Sequence, residues 1–158
     1  MVHTPLRILA AAAVAAALSA LPFAASAQSI PLTVSGGYMG TSDGHDAFTG
    51  VVTINGLGVG VPGLHPQASF AYPFGDGGGR YAATAEETLR LPAGIFVGAG
   101  VGVGRLNVPF SGPFGTGALY DVLAGFRVAP HVDVVGRYYH GFNRNVGQGA
   151  FGGLAFHL

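Results

Sequence analysis

Seven charged residues fall at spacings that bring them together on one face of extended chain: Arg80, Glu86 and Arg90, then Asp121 and Arg127, then Asp133 and Arg137. Within each group the separations are even, and in a β-strand residues an even number apart point the same way. With Ala129-Pro130-His131 as a turn, Arg127 faces Asp133 directly and Arg137 lies diagonal to Asp121, within ion-pair reach. Charges so placed pair to fill and stiffen an interior, because a buried ion requires a partner. The competing use is a gated pore, for which the glycines at 98, 100, 102 and 104 would leave room.

Other reactive residue types are sparse. His140-Gly141-Phe142-Asn143 is the one candidate for acid–base work, yet a histidine acts as general base only for a nucleophile it can reach, and none adjoins it. Asp43, His45 and Asp46 are three metal-compatible side chains without a fourth, as expected of a solvated loop. The run Gly98 to Gly104 misses the dinucleotide fingerprint, because Val103 stands where its last glycine belongs and no helix follows. No Gly-x-Ser-x-Gly elbow occurs. No cofactor and no metal are expected.

The elements that carry these residues are strands. From Ile95 the residues Ile95, Val97, Ala99, Val101 and Val103 face one way, and Phe96, Gly98, Gly100, Gly102 and Gly104 the other. The same period of two recurs in seven further segments, beginning near Leu32, Phe48, Gln67, Arg80, Ala118, Val132 and Gly153, which makes eight strands. A soluble strand shows water a polar face, whereas here one face is wholly apolar and the other nearly bare. That suits a wall between lipid and a narrow lumen.

Composition agrees. The chain has 28 glycines and no cysteine, so it forms no disulfide. Arg7 precedes a 14-residue run from Ile8 to Leu21, Pro22 breaks it, and Ala25-Ser26-Ala27 follows. The run falls short of the roughly 20 residues of a spanning helix, and Ala25 and Ala27 have the small-x-small spacing of a signal-peptidase site. Residues 1–27 are therefore expected to be a signal peptide and 28–158 an outer-membrane barrel. All six basic residues beyond Arg7 are arginines against seven acids, which offers no basic surface for nucleic acid.

The expectation is an all-β, eight-stranded antiparallel transmembrane β-barrel with short periplasmic turns and longer extracellular loops. The turns are Pro62–His65, Pro92–Gly94 and Ala129–His131; the loops are Gly40–Ala47, Gly75–Gly79, Asn107–Gly117 and Gly141–Gln148. In Pro92-Ala93-Gly94 a left-handed glycine pairs Leu91 with Ile95. Tyr38, Tyr72, Phe74, Tyr120 and Tyr138 fall on lipid faces near the loop ends, as an interfacial girdle would. The strand from Phe48 to Val61 changes phase at Asn55-Gly56, read as a bulge, with a hairpin turn as the rival. Glu87 falls on the lipid face, four residues from a turn.

Ala124-Gly125-Phe126-Arg127, the turn, Val132-Asp133-Val134-Val135-Gly136-Arg137-Tyr138-Tyr139 and the terminal Leu154-Ala155-Phe156-His157-Leu158 together resemble the small opacity-protein-like outer-membrane barrels. Leu158 stands where that family typically has a Phe read by the barrel-assembly machinery. The resemblance implies location in the cell outer membrane among lipid and lipopolysaccharide, insertion by that machinery, and a non-enzymatic role in adhesion, envelope integrity or host interaction through loops that meet a host or surface ligand. Two other readings stand beside it. His140 to Asn143 looks faintly like the His-x-Ser-Asn signature of the outer-membrane lipid A deacylases, with Phe142 in place of the serine, and the nearest serine in sequence is Ser111. A secreted soluble barrel holding an apolar ligand is the other; it would expose an apolar patch far beyond the usual few hundred Å².

Overall fold

The computed structural model describes residues 31–57, 63–74, 79–107 and 115–158. Its strands are β1 (Leu32–Thr41), β2 (Asp46–Asn55), β3 (Leu64–Phe74), β4 (Tyr81–Arg90), β5 (Ile95–Arg105), β6 (Gly117–Ala129), β7 (Val132–Gly141) and β8 (Gln148–His157). Each pairs antiparallel with the next and β8 pairs with β1, so the sheet closes into an eight-stranded barrel. Closure removes the unpaired sheet edges that lipid cannot hydrogen-bond.

Side-chain alternation sets inside and outside. Along β5, Ile95, Val97, Val101 and Val103 are exposed, while the intervening glycines face inward. The polar residues Thr33, Ser35, Thr49, Thr53, Ser69, Thr84 and Thr88 are buried, and Phe48, Phe70, Phe74, Phe126 and Phe156 are exposed. A soluble fold would have this arrangement reversed. Polar groups inside a closed wall with an apolar surface outside define the transmembrane barrel.

Both ends of β1 and β8 orient the barrel. The chain's first and last described residues lie at one end with the turns at Pro92–Gly94 and Pro130–His131; the loops at 42–45 and 142–147 lie at the other. In the first turn Leu91 N–H donates to Ile95 O at 2.8 Å, as the sequence implies, and Ala93 joins Gly94 in the left-handed region at φ 64° and 75°.

Three boundaries differ from the sequence reading. β2 ends at Asn55 and carries no bulge: its register with β3 runs without a slip from Phe48↔Phe74 to Asn55↔Gln67. Gly56 leaves the strand at φ 75°, a conformation open to glycine. The Asn55 side chain ties this corner by donating to Pro31 O at 3.1 Å and Thr33 Oγ1 at 2.9 Å. The phase change is thus a strand end, and Leu57 belongs to the connection, where its N–H reaches Pro66 O; Val59, Val61 and Pro62 lie outside the described residues. Leu64 and His65 belong to β3 rather than to the turn. The β6–β7 turn is shorter than expected, with Ala129 already paired to Val132, and a register shift between Arg127 and Ala129 restores the pairing of Arg127 with Asp133. Residues 1–30, with the expected signal segment and its Ala25 and Ala27, residues 75–78 and residues 108–114 also lie outside the described residues.

Candidate functional site in the lumen and at its rim

Inward residues of all eight strands meet in a lumen with two unlike halves. Toward the loops it is mainly apolar: Met39, Val51, Ala71, Ala82, Leu106, Leu119, Tyr139, Val146 and Phe151 pack together, and Val135 and Ala155 continue the cluster toward the turns. Val146 comes from the last loop, held by hydrogen bonds from the Leu106 and Asn107 N–H groups to its carbonyl at 2.7 and 2.9 Å. Arg80 closes the same end, with Nη2 on Asp43 Oδ2 at 2.5 Å and Nε on Leu106 O at 3.1 Å. Asp43 also accepts from Thr41 Oγ1 at 2.5 Å. It therefore braces the first loop, and among the described residues no group of three metal-compatible side chains converges.

At mid-barrel one arginine bridges two acids from different walls. Arg137 Nη1 on β7 lies 2.5 Å from Glu86 Oε1 on β4 and 3.4 Å from Asp121 Oδ2 on β6. Glu86 also accepts from Thr84 Oγ1 and Gln67 Nε2, each at 2.5 Å. Asp121 has less support, since its Oδ1 meets no donor. All three are buried, and a desolvated charge keeps its place only by such pairing.

The inward glycines of β5 provide no channel. A Cβ on Gly100 would meet Asp121 Oδ1 and Glu86 Cγ at 2.6 Å, and one on Gly104 would meet Leu119 Cδ2 at 2.5 Å. The bare wall is already occupied by its neighbours' side chains, which corrects the expectation of spare room for a pore.

A second charged group sits at the turn end. Asp133 Oδ1 accepts from Arg127 Nε at 3.2 Å and Oδ2 lies 2.6 Å from His157 Nε2, while His157 Nδ1 shares a 3.0 Å hydrogen bond with Thr33 Oγ1. Arg90 stands at the same end, exposed, and pairs with no acid among the described residues. Among the described residues, the seven charges expected to act together thus fall into three separate groups with Arg90 apart from them. Asp43, expected as a solvated loop residue, instead pairs with Arg80; His157 was missed, although it lies on the inward phase of the last strand, a signal that was available.

The rim at the loop end carries aromatic residues on the outer face. Tyr38, Phe48, Phe74 and Tyr72 form one chain of ring contacts, with centroids 5.9, 6.4 and 5.3 Å apart. Tyr120, Phe142, His140 and Tyr138 form another. His140 lies within this second arc, 3.4 Å from the Tyr138 hydroxyl, which itself donates to Gln148 Oε1 at 2.6 Å. Its described neighbours are therefore aromatic rings and a phenol rather than a serine or an acid; Ser111 lies outside the described residues.

No protein-family model and no curated protein matches the chain. Solved structures do match in shape. A transmembrane β-barrel made by de novo design shares 12% identity at a TM-score of 0.57, covering 84% of this chain and 98% of its own. Neisserial surface protein A shares 15% at 0.55, covering 81% and 94%. The Yersinia pestis outer membrane protein Ail, solved in a phospholipid bilayer nanodisc, shares 17% at 0.55, covering 82% and 100%. Likeness to designed and natural barrels alike, at such identity, is a likeness of fold: the chain has the architecture of the eight-stranded transmembrane barrels.

Proposed function

We propose that this chain is a non-enzymatic outer-membrane β-barrel of the opacity-like kind, serving envelope integrity or surface adhesion through the loops at its aromatic end. The observation that carries this reading is the combination of a plugged lumen with an apolar outer wall. Among the described residues Arg137, Glu86, Tyr139 and Phe151 fill the mid-lumen, which favours the wall and the rim as its working surfaces. The turn end then faces the periplasm and the loop end the exterior. Tyr38, Tyr72, Phe74, Tyr120 and Tyr138 would meet lipid and lipopolysaccharide headgroups, since amphipathic rings favour that depth. Strand β8 would be the segment read by the barrel-assembly machinery, and a host or surface ligand would meet the loops.

The test is fractionation of cells expressing the full chain, followed by gel mobility with and without boiling. Recovery in the outer-membrane fraction with a heat-dependent shift is expected. Recovery as soluble periplasmic protein with no shift would overturn the reading and favour a soluble ligand-binding barrel. Dye-loaded vesicles containing the refolded barrel should retain their dye; release would refute the plugged lumen.

A further inference from the structure

Asn55 is the one asparagine of the chain that is followed by a glycine. In an open chain that pair cyclises readily, because glycine sets no side chain in the way of its own backbone nitrogen as it attacks the preceding carboxamide. In the barrel both reacting groups are held. Gly56 N–H donates to Pro66 O at 2.9 Å, and Asn55 Nδ2 donates to Pro31 O at 3.1 Å and to Thr33 Oγ1 at 2.9 Å. Gly56 itself is exposed, so water reaches the site. Ring closure requires the carboxamide to leave both acceptors and Gly56 to leave Pro66, so it proceeds through opening of this corner.

Asn55 also begins a row of hydrogen bonds across the β1–β8 seam. From Thr33 Oγ1 the row passes at 3.0 Å to His157 Nδ1, and from His157 Nε2 at 2.6 Å to Asp133 Oδ2. Its direction is fixed by what each group can donate. The Asp133 carboxylate only accepts, so the neutral imidazole carries its proton on Nε2, and Nδ1 accepts from the Thr33 hydroxyl. Thr33 has that proton to give because Asn55 donates to it rather than accepting from it.

We propose that Asn55 is a modification site gated by folding: it deamidates in the open chain, is protected in the closed barrel, and once deamidated reverses the hydrogen-bond row that ends on His157. In the reaction the Gly56 nitrogen bonds to Asn55 Cγ and gives its proton to solvent; the Cγ–Nδ2 bond breaks, and Nδ2 takes up a proton and leaves as ammonia. Water then opens the succinimide at either carbonyl, giving aspartate or isoaspartate. A carboxylate at this corner donates nothing. It faces the Pro31 carbonyl with like partial charge and takes the Thr33 proton, so His157 keeps its bond to Thr33 only by taking up a second proton.

The experiment incubates the purified protein at mildly alkaline pH, folded in detergent or unfolded in urea, and follows deamidation of the Asn55 peptide by mass spectrometry. The unfolded chain should react about tenfold faster than the folded one, or more, because the folded chain reacts only from its open state; Gly56→Ala should slow the unfolded reaction. Folded Asn55→Asp, checked by heat-dependent mobility, is then compared with the parent by nitrogen NMR of His157 at a pH where the parent ring is neutral. The parent should show the Nε2–H tautomer and the variant the doubly protonated ring, while Asn55→Ala, which adds no acceptor, should match the parent. Equal deamidation rates in the two states, or a His157 ring in folded Asn55→Asp identical to the parent's, would overturn the proposal. The rate comparison uses the parent chain and decides the matter even where the variant does not refold.

Discussion

Replacing Arg137 by Met tests whether the mid-barrel charges hold the fold as a unit. The substitution removes the one cation that pairs with Asp121 among the described residues, an acid fully buried at 0% exposure whose other oxygen already lacks a donor. Glu86 is less affected, because Thr84 and Gln67 still donate to it. Breaking a buried pair by deleting one partner costs about 3–5 kcal/mol. Because one acid keeps two donors, the expected loss is about 3 kcal/mol, the lower end of that range. With a urea slope of about 2 kcal/mol/M, the midpoint should fall by about 1.5 M. The assay is urea unfolding of the refolded barrel, read by mobility without boiling and by circular dichroism. The triple variant Glu86→Gln, Asp121→Asn, Arg137→Met carries no unpaired charge and should return to within about 1 kcal/mol of the parent, since neutral replacement of an entire buried network is often neutral. A midpoint unchanged in Arg137→Met, or a triple variant less stable than the single one, would refute the reasoning.

Gly100→Ala should cost about 1–3 kcal/mol, because its Cβ would meet the Ala85 carbonyl at 2.5 Å as well as both acids; Gly152→Ala, with nothing within 4 Å, should be neutral or gain about 0.4–1 kcal/mol. Equal midpoints for the two would contradict the occupied wall. Ala93→Gly should stabilise by about 0.5–1 kcal/mol, relief of a left-handed alanine offset by glycine's entropy, and a lower melting temperature would argue against it. Glu87→Leu removes an exposed acid flanked across strands by Pro66 and Ala99 and should stabilise the barrel in phospholipid vesicles by about 1–2 kcal/mol; loss of stability there would argue against a lipid-facing wall.

The inside–outside alternation of every strand was legible in the sequence because it is a local property of period two. Ile95 to Val103 and Ala118 to Phe126 show it without reference to any partner strand. Pairing next to a turn was also legible: Arg127 meets Asp133 because a hairpin joins them. Contacts across the lumen were not. Arg137 and Glu86 are 51 residues apart on strands three removed in order, and their meeting depends on how far the sheet shears before it closes. His157 reaches Thr33 for the same reason, since β1 and β8 are neighbours only after closure, whereas Asp133 lies on the adjacent strand β7. The end of β2 was obscured because Leu57, Val59 and Val61 continue an apolar alternation past Asn55, and period alone does not mark where pairing stops.

Closure also accounts for the distribution of glycine. An eight-stranded barrel encloses little more than its own side chains fill, yet β1, β7 and β8 direct Met39, Tyr139, Arg137 and Phe151 inward, and β6 adds Leu119 and Leu123. Side chains of ordinary size from every strand would overfill that space. The alternating glycines of β5 relieve the conflict on one wall, and the contacts prove the fit: Thr88 and Leu123 lie where a Cβ on Gly98 would stand, Glu86 and Asp121 where one on Gly100 would. The buried charge cluster is therefore displaced toward β5 by the shape of the wall. Its acids lie against backbone from which no side chain displaces them, and Arg137 reaches Asp121 from the neighbouring strand and Glu86 across the lumen. Glycine here positions the ion pairs, so adding a methyl at 100 and removing the cation at 137 should weaken the same structure and combine less than additively.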